Sequence, residues 1–335
     1  MITGNIETAY INMFREGFEH SFQQKMSKLR GLVNVVRQSS EFDYYDRLGL
    51  ADAPQEVLTR YGDSPQNEVP HERRRQGLRD WDWGKLVDKN IDIYRVAADP
   101  TNKYTEAGVA AFNRLIDDLI IEGITRDAYV GKKGDTTIEF VGTTSGDITI
   151  GEVSNENGNI STGGDYTVTA GNYEGIDVSA DFRSSGTTSN ITTDKLIAVR
   201  ESLLSLEAME ETDVLPMLVS PAQQSALMRE ALNTSNVPAL ISKDYNAPVL
   251  KNGFVDMWLG FKFIYTNRLP KTSDIRDCYV LGPRGVQLAI AKDIDVQIYN
   301  RPDKKNIPYI FIQMGLDAMR MWGEHTVKVR CDETK

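Results

Sequence analysis

The sequence predicts an α+β protein organised around one long helix, and three observations carry that reading. Residues Tyr104 to Val130 have helical periodicity. The stretch after them turns abruptly to short alternating β pieces, and the rest of the chain mixes helix and strand. A length of 335 residues suggests about two domains with ample material for a core.

The helix rests on spacing. Val109, Phe112, Ile116, Leu119, Ile120 and Gly123 recur at three- and four-residue steps, while Arg114, Asp117, Asp118, Glu122 and Arg126 fall between them. Pro100 precedes it, and Gly131 with Lys132 and Lys133 is read as its stop. At about 1.5 Å per residue the rod runs roughly 40 Å, longer than most globular helices.

Taken in order, residues 5–37 read as an amphipathic helical stretch with Ile6, Tyr10, Phe14, Phe18, Phe22, Met26 and Leu29 on one stripe. Two roles stay open for it: packing on its own domain, or lying across a neighbouring subunit or partner helix. Residues 56–98 hold turn signals at Gly62-Asp63-Ser64-Pro65 and near Gly77, and read as a long extended hairpin or loop. Its middle interleaves Arg73, Arg74, Arg75 and Arg79 with Trp81 and Trp83, a pattern that invites nucleic acid. Glu72, Asp80 and Asp82 nearly cancel those arginines, so a charge-paired protein contact is the better reading.

Residues 131–193 hold eleven of the 26 glycines, with nine acidic side chains against three basic ones. Ile148/Ile150, Tyr166/Val168/Ala170 and Ile176/Val178/Ala180/Phe182 keep a period of two, so the stretch reads as an all-β insertion. Beyond it, Thr193 and Asp194 can cap a helix carrying Leu196 and Leu203 through Met209. Val214–Val219 reads as a buried strand. It leads into Ser220-Pro221-Ala222-Gln223, a capping box with proline at the first helical position. Strands follow at Phe261–Tyr265, Cys278–Leu281, Val286–Ala291, Ile294–Ile298 and through the tail from Tyr309.

Composition narrows the function classes. The net charge of −10 argues against broad nucleic-acid binding. No apolar run approaches the ~20 residues that span a bilayer, and no secretory signal is expected at the N-terminus. Cys278 and Cys331 form no CxxC pair and read as reduced thiols. His20, His71 and His325 are scattered, and neither phosphate-loop nor dinucleotide glycine patterns occur. Gly142-Thr143-Thr144-Ser145-Gly146 places its serine one residue too late for a nucleophile elbow. Asp117-Asp118 and Glu210-Glu211 read as solvated helix faces. No catalytic residue, cofactor or metal is expected.

The order of parts resembles the major capsid proteins of tailed double-stranded DNA phages, the Hong Kong 97-like fold. Three stretches carry the resemblance. Tyr104 with Ala110–Asp118 looks like the spine helix, and Leu218–Gln223 like an axial-domain strand and helix. Leu250–Gly253 through Trp258–Phe261 to Thr266–Pro270 is similar to the sheet strand and turn of such shells. The resemblance covers most of the chain outside 131–193 and implies an N-terminal arm (1–55), an extended loop (56–99) and a peripheral domain with the spine helix (100–131). An axial domain (193–305) and returning strands (306–335) complete it, while the β-rich insertion domain (132–192) departs from the minimal fold and is expected on the surface.

The resemblance implies a self-assembling shell of hexamers and pentamers around packaged DNA, in a virion capsid assembled in the host bacterial cytoplasm. It implies a portal protein as partner, with scaffolding and decoration proteins as further ones, and no membrane. Candidate inter-subunit contacts are Phe14, Phe18, Phe22, Arg73, Arg74, Arg75, Trp81 and Trp83. A nanocompartment shell of the same fold is the alternative, and a soluble enzyme with a β accessory module the more distant one.

Overall fold

The computed structural model describes residues 24–49, 69–87, 101–141, 147–151, 166–168, 171–184, 187–232 and 256–334, with positions 51, 54 and 56. The chain divides into two compact units. One comprises Met1–Ser27, Asp80–Leu115 and Lys292–Gly315; the other comprises Lys28–Arg79, Ile116–Ala291 and Leu316–Lys335.

The long helix α1 spans Thr101–Thr125. Phe112, Ile116, Leu119 and Ile120 are buried as the spacing predicts, Val109 is half-buried, and Ile124 joins the buried side. The helix stops five residues earlier than its sequence suggests, because Ala128–Val130 is a strand paired with Thr136–Ile138. Gly131 and Gly134, at φ 91° and 65°, form the turn between those strands and do not cap the helix. The cap comes from far away: the Arg320 guanidinium donates to the carbonyls of Ile124 at 2.7 Å and Arg126 at 3.0 Å.

In the first unit, Asp80–Leu86 lies antiparallel to the strand Ile307–Arg320, with Trp81 opposite Met314 and Trp83 opposite Ile312. The Trp83 ring packs over Gly108 of α1, where a Cβ would come within 3.0 Å of it.

The second unit holds a nine-stranded mixed sheet. Eight of its strands run in the order Met257–Trp258, Phe261–Tyr265, Leu215–Val219, Ile275–Leu281, Thr326–Asp332, Ile176–Val178, Ile148–Ile150 and Tyr166–Val168. Buried runs such as Cys278–Leu281 and Met217–Val219 supply its core. Helix α2 (Thr193–Ser205) is capped by Thr192, one residue before the expected pair, and Glu210-Glu211 falls in the turn beyond its end. Helix α3 (Pro221–Leu232) begins with the expected capping box, the Gln223 side chain accepting from the Ser220 amide at 2.9 Å.

Two further expectations change. The helical reading of 5–37 does not reach its end, since Arg30–Leu32 is a 3-10 turn and Asn34–Arg37 a strand parallel to Gln287–Ile290. Among its described residues the 131–193 stretch is β-rich, and its strands pair into the two sheets of the second unit. Ile176–Val178 pairs directly with Val327–Val329, and Ile148, Ile150, Ile176 and Val178 are buried. Alternation read correctly as strand does not say which strand will be the partner.

Candidate interaction face

A five-stranded sheet in the second unit runs Phe42–Leu48, His71–Gly77, Ala128–Val130, Thr136–Phe140 and Tyr173–Glu174. Its first two strands pair as an antiparallel hairpin whose first strand lies outside the 56–98 stretch read as one, and Asp80–Leu86 belongs to a different sheet from His71–Gly77. Arg73, Arg74 and Arg75 therefore lie in a different sheet from Trp81 and Trp83.

Exposure alternates strictly along Phe42–Leu48, as a half-solvated strand requires. Register places Tyr44 opposite Arg75, Asp46 opposite Arg73 and Arg75 opposite Tyr129. Cross-strand partners share a face, so Phe42, Tyr44, Leu48, Arg73, Arg75 and Tyr129 point the same way. All four apolar members are substantially exposed, Leu48 most at 55%. The Arg75 guanidinium sits over both Phe42 and Tyr129, at 5.0 and 4.7 Å from the ring centroids. Arg73 lies over Tyr44 and bonds Asp46 at 2.6 and 3.0 Å. That bond holds the Asp46 carboxyl below its usual range. Arginine and aromatic side chains that stay solvent-exposed yet already held in place suit a protein contact.

The opposite face is closed. Arg74 is fully buried. Its guanidinium donates to Glu72 at 3.1 Å, to the Arg320 carbonyl at 2.7 Å and to Glu174 at 2.6 Å. Arg47 bonds Glu72, Glu174 at 2.9 Å and the Met321 carbonyl at 3.1 Å, and covers the Trp322 ring. Burial alone would raise the Glu174 carboxyl, but Arg74, Arg47 and Arg320 outweigh it and hold it at about 2. Burial lowers Arg320 to about 10. Alongside, Asp317 accepts from Arg79 at 2.8 Å and from Arg126 at 2.7 Å, and its carbonyl accepts from Gln76 at 2.8 Å.

Of the sequence candidates, the structure brings Arg73 and Arg75 to the exposed face and turns Arg74 inward. Trp81 and Trp83 are half-buried and alternate with exposed Asp80 and Asp82. Phe14, Phe18 and Phe22 lie outside the described residues, as do Gly142–Gly146 and Leu250–Gly253. Asp117 is not on a solvated face. Its carboxylate accepts the backbone amides of Lys28 and Leu29, each at 3.1 Å, while Asp118 pairs with Arg268. Asn113 and Arg114 bond the carbonyls of Lys25 and Gln24, so α1 carries the chain that enters from the N-terminal side. Sequence reading missed Arg47, Glu174, Asp117 and Arg320. A period-two pattern in Phe42–Leu48 was the one available signal, and it would have placed Arg47 opposite the aromatic face.

The family model for phage capsid proteins matches residues 6–333. This chain belongs to the phage capsid protein family. The solved structures similar to the capsid protein agree on the fold. The capsid of cyanophage P-SCSP1u superposes with a TM-score of 0.65 at 12% identity, covering 97% of this chain and 93% of that one. The capsid of a native GTA particle gives 0.62 at 10% identity, covering 99% and 98%. The capsid of the Myoviridae phage XM1 gives 0.57 at 13% identity, covering 97% of each. A search of curated proteins returns no match. The capsid protein thus has the Hong Kong 97-like α+β fold expected from its order of parts.

Proposed function

We propose that this major capsid protein assembles with copies of itself into the hexamers and pentamers of an icosahedral phage head around double-stranded DNA. The match of the capsid family model over residues 6–333 carries the reading. The similar structures are themselves capsids, one described as the asymmetric unit of a mature capsid, and this supports self-assembly. The chain acts as a structural subunit and not as an enzyme. Its net charge of −10 suits weak, non-specific contact with packaged DNA. The portal is a partner, with scaffolding and decoration proteins as further ones, and assembly takes place in the host cytoplasm.

Within the shell, the face of Phe42, Tyr44, Leu48, Arg73, Arg75 and Tyr129 contacts a neighbouring subunit. Arg74 does not take part, since its donors are spent inside its own chain. The Phe14/Phe18/Phe22 stripe is assigned to a neighbour or scaffold as a second contact. Electron microscopy of the chain expressed alone, with its elution on a sizing column, tests the reading. Closed particles or capsomer rings are expected. A chain that stays monomeric even when co-expressed with its neighbouring genes would overturn it.

A further inference from the structure

Glu174 sits on a two-residue strand in the glycine-rich stretch that looked like an add-on. Its carboxylate accepts from Arg47 at 2.9 Å, from Arg74 at 2.6 Å and from the Gly323 amide at 2.9 Å, with the Arg320 guanidinium at 3.5 Å. Arg47 and Arg74 stand on the two strands of the Phe42–Leu48/His71–Gly77 hairpin, diagonal to each other on its inner face. Arg320 belongs to the strand Ile307–Arg320 and caps α1. One buried carboxylate is therefore shared by the hairpin, the Gly323 amide and Arg320, the last residue of the strand Ile307–Arg320, whose guanidinium also caps α1.

The surroundings are cut to this residue. A Cβ on Gly323 would lie 1.9 Å from the Glu174 Cγ, and one on Gly151 would lie 2.6 Å from its Cα. Besides the Glu174 bonds, the hairpin is held by Gln76 on the Asp317 carbonyl at 2.8 Å, Arg74 on the Arg320 carbonyl at 2.7 Å and Arg47 on the Met321 carbonyl at 3.1 Å. Phe42–Leu48 is the edge of its sheet, and His71–Gly77 meets the next strand over a short stretch, at Arg74–Val130, Arg75–Tyr129 and the Gly131 amide on the Arg73 carbonyl. Its outward face is solvated and adds little apolar burial. Resistance to local opening must come largely from side-chain bonds at its root.

We infer that Glu174 is a positioning residue that anchors the Phe42–Leu48/His71–Gly77 hairpin and so fixes the direction in which its outer face is presented. That the presented face is an assembly contact rests on the reading above; the anchoring itself does not. The anchor explains why an acidic side chain is buried among arginines. Breaking a buried ion pair on one side leaves the remaining charges uncompensated.

Hydrogen exchange on the unassembled full-length subunit tests it, because that readout needs no shell. In Glu174→Gln, exchange in 42–48 and 71–77 should speed by roughly tenfold or more, while 275–281 and 326–332 stay within about twofold. Glu174→Asp, which keeps the charge, should restore part of the protection. Gly323→Ala crowds the carboxylate without removing a charge. It should loosen the same two strands selectively, and it stands in if Glu174→Gln does not fold. Unchanged hairpin protection, or protection lost equally in all four segments, would overturn the inference. A loosened hairpin in Glu174→Gln alongside normal shells from Arg75→Glu would sink the contact face and leave the anchor standing.

Discussion

Arg74 and Glu174, separated by 100 residues, meet at 2.6 Å with both side chains out of water. On the other side of the same strand, Arg73 and Arg75 keep their guanidinium groups at the surface over aromatic rings. Three consecutive arginines thus divide between an internal anchor and an external face, as the two-residue period of a strand dictates.

Charge reversal at Arg75 should block particle formation and leave the subunit folded. Arg73→Glu should act the same way, and losing its exposed pair with Asp46 should leave the stability of the subunit nearly unchanged. Sizing chromatography and thermal melting read the two effects apart. Normal shells from either variant would remove that residue from the contact.

Adjacent carboxylates on α1 should behave differently. Asp117→Ala strands the buried amide of Leu29 and the part-buried amide of Lys28 and should cost about 1–3 kcal/mol. Asp118→Ala loses a half-exposed pair with Arg268 and should cost no more than ~1 kcal/mol. Urea denaturation of both variants checks the ordering, and equal losses would contradict it.

At Gly123, alanine would ordinarily favour a helix by about 1 kcal/mol. Here its Cβ would lie 2.9 Å from both the backbone and the side chain of Ala318. Overpacking of that kind costs typically ~1–3 kcal/mol, so the net effect of Gly123→Ala should be destabilising. A raised melting temperature would show that the contact relaxes freely.

Acid should weaken the fold in a defined window. The Glu174 carboxyl falls from its ordinary 4.5 to about 2 in the folded chain. A group whose folded value is depressed contributes stability in full above the unfolded value and loses it as pH falls toward the folded one. The contribution is therefore complete above about pH 5 and drains away between roughly pH 4.5 and 2. Denaturant midpoints across that range should fall less steeply in Glu174→Gln than in the unaltered chain. Parallel curves would show that Glu174 does not titrate in this window.

Local chemistry alone determined a good deal of this protein. The apolar stripe of α1, the Ser220–Gln223 capping box, the alternating strands and their order along the chain were all readable. Each depends on residues a few positions apart, and that order carried the family resemblance. Tertiary structure decided where the strands went and what the charges did. Ala128–Val130 leaves the helix because Thr136–Ile138 is there to pair with it. The β-rich stretch joins the main sheet because Val327–Val329 accepts Ile176–Val178. Asp117 and Asp118 look alike in sequence, but one meets backbone amides and the other an arginine from far along the chain. Glu174 sits in a run of glycine and polar residues that gives no sign of burial. The arginines that hold it ionised come from positions 47, 74 and 320, and only folding brings those charges within reach of one another.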